Sequence, residues 1–154
     1  MTETIEAKVT HRFKASPERV YDAFLDPVKV RLWQKAWGEQ AGSGGEMTAC
    51  EINPVVGGKF LFADMRAEGE ARHWGTFKTL ERPKKIAFTW YTDPSEEDQV
   101  SLVTLIIEPE PDGPGAVVTL YHEMGAQWVE WIKQTEKGWI TMLQAIDGML
   151  LAEG

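Results

Sequence analysis

The side chains best suited to proton transfer or metal ligation near neutral pH are three histidines, His11, His73 and His122. If the first and last strands of one sheet are neighbours, His11 and His122 come close, and Glu123 would complete a small donor set. No helical His-x-x-x-His spacing and no Cys/His cluster accompanies them, so the plainer reading is solvated strand histidines, and no metal is expected. Asp64, Glu68 and Glu70 crowd one turn and could serve as general acid or base at a pocket mouth, although carboxylates around a turn are usually just solvated. The lone cysteine, Cys50, carries no nucleophile signature and suits apolar burial. Gly42, Gly44, Gly45, Gly57 and Gly58 do not lead into a helix as a phosphate cradle would, so no nucleotide cofactor is expected. Asp93 to Asp98 reads as a solvent-facing acidic turn. No catalytic residue is assigned, and the expectation leans away from an enzyme.

Tryptophan is the heavier signal. The chain has seven, and Trp74, Trp90, Trp128 and Trp139 could wall a pocket while their indole N–H groups serve as donors. The competing reading is that they are core, since aromatic stripes at helical spacing usually pack.

These residues need elements to hold them. Ile5, Ala7 and Val9 alternate with Glu6, Lys8 and Thr10, which predicts a strand from Ile5 to Lys14. Ser16-Pro17-Glu18 is a helix start: serine caps, proline fits the first turn, and glutamate suits the positive end of the helix dipole. Asp26-Pro27 repeats the signal. Two short helices are predicted, carrying Val20, Ala23 and Phe24, then Val30 and Trp33, before a glycine-rich loop from Gly38 to Gly45. From Glu46 the period changes to two. Strands are predicted near 47–52, 59–65, 72–80, 85–92, 100–108 and 116–122, with turn clusters between them, as in an antiparallel meander.

The last segment, from about Ala126 to Ala152, predicts a long helix. Trp128, Ile132, Thr135, Trp139, Met142, Ile146 and Met149 recur at steps of four and three, on one stripe. Val129, Trp131, Ile140, Leu143 and Leu150 widen it. Gly138 interrupts the helix, which points to a close approach to the sheet or a ligand, or simply to a tolerated kink. The strand at 100–108 is apolar on both faces, Leu102 and Ile106 against Val103, Leu105 and Ile107, so a second copy of the chain is a candidate cover for the outer one.

At 154 residues the chain suits one domain, spanning 1–154, large enough to fold without disulfide or metal. A net charge of −8, with the basic residues scattered, argues against nucleic acid as a partner. No basic-then-apolar leader and no long apolar run is present, so membrane insertion is not expected and a cytoplasmic location is.

The order strand, two helices, six strands, long helix, together with several local strings, resembles the START-like helix-grip (SRPBCC) superfamily. The nearest match is the family of homologues of the activator of heat-shock-protein-90 ATPase, in its single-domain bacterial form. The strings are Ser16-Pro17-Glu18-Arg19-Val20-Tyr21-Asp22-Ala23-Phe24, Asp26-Pro27, Trp33, Gly57-Gly58-Lys59-Phe60, Gly75-Thr76-Phe77, the run Arg82 to Trp90, and Gly138-Trp139. The resemblance implies an α+β helix-grip fold, a curved antiparallel sheet of about seven strands wrapped on the long C-terminal helix with a cavity between them. Eukaryotic activators carry an additional amino-terminal domain that this sequence is expected to lack.

The leading expectation is therefore a binding protein that holds a small apolar or amphipathic molecule in that cavity. Phe60, Phe62, Trp74, Phe88 and Trp90 would reach it from the strands, and Trp128, Thr135, Trp139 and Met142 from the helix. Ile86, Phe88 and Trp90 are greasier than Ala87, Thr89 and Tyr91, which places the former set inside. Two alternatives use the same fold: a cyclase- or hydrolase-type enzyme, and a chaperone-linked interaction module. The candidate partners are thus the apolar ligand, a second copy of the chain and a chaperone.

Overall fold

A computed structural model describes residues 3–40, 47–66 and 69–153. β1 (Thr4–Phe13) is followed by α1 (Pro17–Leu25) and α2 (Pro27–Gln40), then β2 (Met47–Ile52), β3 (Lys59–Arg66), β4 (Gly69–Glu81), β5 (Lys85–Thr89), β6 (Ser101–Pro109), β7 (Ala116–Gly125) and α3 (Ile132–Glu153). The seven strands form one antiparallel sheet in the order β1-β7-β6-β5-β4-β3-β2. The chain therefore has the α+β helix-grip architecture: a curved seven-stranded sheet closing on a long C-terminal helix.

Local chemistry accounts for the starts. Ser16 accepts from the Arg19 amide through its hydroxyl, and Pro17 opens α1. The Asp26 carboxylate accepts from the Val28 amide at 2.9 Å where α2 begins. α2 is longer than expected. It runs 14 residues and passes through Gly38 instead of stopping there, because the Trp33–Trp37 face stays packed on the sheet side; the rest of the expected loop lies outside the described residues. The last helix is corrected too. Ala126–Trp131 winds as a 3-10 segment, and the α-helix starts only at Ile132.

The core lies between the concave face of the sheet and the helices. Val103, Leu105 and Ile107 of β6 point inward and are buried, as are Val118 and Leu120 of β7. Leu143, Ile146 and Leu150 of α3 are buried in the same core, and α3 packs on β1 and α2. Val129, Trp131 and Ile140, expected to widen the helix stripe, are instead exposed, because the 3-10 winding and the helix phase turn them outward. On the outer face, Leu102 and Ile106 are half-buried among Lys85, Thr119 and Tyr121, a mixed surface. Ion pairs fasten the periphery: Arg82 makes two 2.9 Å bonds to Asp22, and Glu153 takes Arg19 and Lys29.

Candidate ligand cavity

The inner face of the sheet has two ends of different character. At one end Phe60, Phe62, Phe77 and Phe88 pack against one another, with ring centroids 5.2 to 6.2 Å apart. Only a void of about 30 Å³ remains among them, bounded by Trp90, Trp139 and Met142. Gly75, the β4 partner of Phe60, makes this packing feasible. A Cβ there would lie 1.8 Å from the Thr89 carbonyl oxygen and 2.8 Å from Phe60 Cζ. Without it, Phe60 and Trp90 stack across the strand at 6.0 Å and 23°.

At the other end the same face opens into a cavity of about 430 Å³. Five of the seven tryptophans bound it: Trp37 from α2, Trp90 following β5, Trp128 and Trp131 from the 3-10 segment, and Trp139 from α3. The loop between β5 and β6 contributes Thr92, Glu96 and Gln99 to the wall. Gln99 ties that loop to the 3-10 segment, its Oε1 accepting from Gln127 Nε2 at 2.9 Å and from Trp128 Nε1 at 3.3 Å. Trp131, 51% exposed, stands where the cavity meets solvent.

Two histidines share the wall, and their electrostatics differ from the sequence expectation. His73 stacks on Trp90 at 4.9 Å and 16° and faces Trp37. Burial, reinforced by the Arg66 charge and opposed by Asp64, holds its pKa down at about 4. His122 is buried, and desolvation lowers its pKa to about 4 as well. Its tautomer is fixed by its neighbours. The indole N–H of Trp139 can only donate, so His122 Nδ1 accepts at 3.1 Å. His122 Nε2–H therefore donates to Ser101 Oγ at 2.9 Å, and the Ser101 hydroxyl donates to the Trp90 carbonyl at 2.6 Å. The chain ends on a backbone oxygen with every proton used. Ser101 is thus not an activated nucleophile, and His122 holds no free lone pair to act as a base.

The expected site residues divide between the two ends. Trp90, Trp128, Thr135 and Trp139 line the large cavity. Phe60, Phe62, Phe88 and Met142 line the small void, together with Trp90 and Trp139. Trp74 is corrected. It shares strand parity with Leu61 and bridges Tyr91, so it lies on the outer face while His73, Gly75 and Phe77 face inward. The expected meeting of His11 and His122 is corrected as well. β1 and β7 are neighbours, but His11 pairs with Val118 and His122 with Ala7, four residues apart along the strand, or about 14 Å. His11 instead bonds Asp147 of α3 at 2.9 Å. Among the described residues no group of three His, Cys, Asp or Glu side chains converges on one point. Glu68 lies outside the described residues; Asp64 and Glu70 pair with Arg66 and Arg72 and do not line the cavity. Gly138 lines the cavity without a close approach to the sheet, since among the described residues a Cβ there would meet nothing outside its own helix within 4 Å.

Sequence reasoning missed Trp37, His73, Glu96 and Trp131. Trp37 had a signal, four residues after Trp33 on the same helical face. His73 had one too, two positions before Gly75 on the inward parity of β4. Glu96 had none.

Residues 14–150 match the family model described as activator of Hsp90 ATPase homolog 1-like protein. No curated protein matches the chain. Among solved structures, a protein of unknown function from Staphylococcus aureus superposes with a TM-score of 0.77 at 17% identity, covering 99% of this chain and 96% of its own. A Nitrosomonas europaea protein gives 0.73 at 16% identity, covering 97% and 96%. One from Chromobacterium violaceum gives 0.68 at 22%, covering 94% and 95%. At such identities the likeness establishes the fold.

Proposed function

The chain belongs to the activator of Hsp90 ATPase homolog 1-like family, and on that premise we propose that it is a binding protein for a small apolar or amphipathic molecule. The observation that carries this reading is the cavity of about 430 Å³ between sheet and helix, with five indoles in its walls. Its volume and aromatic lining suit a small-molecule site, where concave apolar walls supply affinity and a few polar groups fix orientation. The indole N–H groups of Trp37 and Trp90 make no hydrogen bond among the described residues, so a ligand oxygen could meet them. Thr135 and Gln134 add further polar contacts from α3. Phe60, Phe62, Phe88 and Met142 support the pocket from behind.

The enzyme alternative gains nothing from the His122–Ser101 pair, whose protons are all directed into structure. A chaperone-linked role rests on the family description alone. A second copy covering β6 finds only a mixed outer surface to bind. Among the described residues no helix is long and apolar enough to cross a membrane, and a cytoplasmic location accords with the lone Cys50.

Titration with a neutral apolar dye such as Nile red, read by tryptophan emission, should saturate in the micromolar range, about −8 kcal/mol. A linear, unsaturable response, unchanged in Trp90→Ala, would overturn the proposal.

A further inference from the structure

The polar chemistry of the wall is one-sided. Among the described residues that bound the cavity there is no lysine and no arginine, and the only carboxylate is Glu96. The segments 41–46 and 67–68, outside the described residues, contain no lysine or arginine in sequence. The two histidines of the wall are neutral at neutral pH. Arg66 acts on His73 from a distance, but its Nε is paired with Asp64 at 3.1 Å. Five indoles make up the rest of the aromatic surface, and indole is the ring that attracts cations most strongly.

Resting on the ligand-binding reading above, we infer that the cavity selects by charge: it takes an organic cation, a protonated or quaternary amine on an apolar body, ahead of the corresponding carboxylate. A carboxylate entering this space would lose water and find no positive partner. The indole N–H groups of Trp37 and Trp90, unpaired among the described residues, would satisfy its hydrogen bonds without cancelling its charge. It would also stand near Glu96, whose carboxylate is held towards the cavity wall by the Thr92 amide at 2.9 Å. A cation meets the opposite conditions, with aromatic rings around it and one carboxylate within the same wall. Its apolar body packs on the same indoles that a neutral ligand would use.

The test is a matched series on one apolar body: phenylpropyltrimethylammonium, phenylpropanol and phenylpropanoate, titrated by calorimetry into the full chain at neutral pH. The ammonium should bind about ten-fold or more tighter than the carboxylate. Glu96→Gln keeps an oxygen to accept from Thr92 and removes the charge. It should shrink the ammonium-to-alcohol affinity ratio about five-fold, in a manner that weakens as salt is raised. Carboxylate binding equal to or tighter than ammonium binding overturns the charge preference while leaving the ligand site standing, as alcohol binding would show. A ratio unmoved by Glu96→Gln overturns it also. If none of the three binds, the ligand-binding reading falls and the charge preference with it.

Discussion

The two ends of the concave face use the same sheet and the same helix, yet one is solid and the other hollow. The difference lies in ring shape and in hydrogen-bonding needs. Phenylalanine rings from β3, β4 and β5 have no polar atoms, so they interlock at any angle that fills space, leaving about 30 Å³. The indoles at the open end each bring an N–H that must find an acceptor or face water. Trp139 finds His122, Trp128 finds Gln99, and Trp33, one turn before Trp37 in α2, finds the Ala23 carbonyl at 2.8 Å. Trp90 and Trp37 find none among the described residues, and both border the cavity. Trp90 and Trp139 bound both spaces and form the partition between them, in contact edge to face at 5.0 Å.

Removing the partition should have the largest effect. Trp139 is 4% exposed, and its truncation to alanine creates a cavity and leaves His122 Nδ1 without its donor. A loss of about 3 to 5 kcal/mol in unfolding free energy is expected, with ligand binding degraded as well. An unchanged denaturant midpoint would exclude the keystone role. Phe88→Ala, behind the partition, should cost a similar amount, about 3 to 5 kcal/mol, while leaving the large cavity bounded as before. Trp131→Ala at the solvent edge should do the reverse, shifting stability by about 0.5 kcal/mol or less and weakening binding. If those two variants fail to separate stability from binding, the division into a solid end and a hollow end is wrong.

Acid should act mainly on the hollow end. His73 and His122 have folded pKa values of about 4 against an ordinary 6.5, so between those limits the unfolded chain takes up protons that the folded one refuses. Their contribution to stability is complete above about pH 6.5 and is lost as pH falls toward 4. Each histidine contributes at most about 1.4 kcal/mol per pH unit across that window. Protonated His122 would also set an N–H against the Trp139 N–H, breaking the relay at its first bond. Urea midpoints at pH 7 and pH 5 should therefore differ clearly, and His73→Phe, which keeps the stack on Trp90, should remove about half of the difference. Equal midpoints at the two pH values would show that the histidines are not buried neutral.

Much of this arrangement was legible in sequence, and the exceptions have physical causes. Ile86, Phe88 and Trp90 face inward as their contrast with Ala87, Thr89 and Tyr91 predicts, because a half-buried strand sorts its residues by polarity. All six later strands fall near their predicted positions, since each is bounded by turn residues. Trp74 misleads because a tryptophan on the outer face looks as apolar as one on the inner; the decisive clue is the phase of Phe77 and Gly75, not the ring itself. The start of α3 was unreadable for another reason. Trp128 and Trp131 continue the apolar pattern, so periodicity cannot tell 3-10 winding from α-helix over one turn. Glu96 was beyond reach. It belongs to an acidic turn indistinguishable from a solvated one until the β5–β6 loop is seen folded against Trp128 through Gln99.

The smallest effect expected is also the one that bears most directly on whether the hollow is functional. Gly138 lies inside α3, where glycine is about 1 kcal/mol less favourable than alanine in helix propensity. Nothing packs at the missing Cβ: among the described residues, no atom beyond the adjoining residues and the helix's own backbone lies within 4 Å of where it would be, and the residue borders the cavity. Alanine should therefore enter without strain and stabilise the fold by about 0.5 to 1 kcal/mol, read as a raised denaturant midpoint. Trimming space from the cavity, it should weaken a bulky ligand slightly, and Gly138→Leu should weaken it much more while the fold survives. This opposition between stability and binding is what a functional hollow predicts, because the glycine then keeps space open at a cost to the helix. Were Gly138→Ala and Gly138→Leu both to bind Nile red as the parent chain does, the space beside Gly138 would be no part of the ligand site.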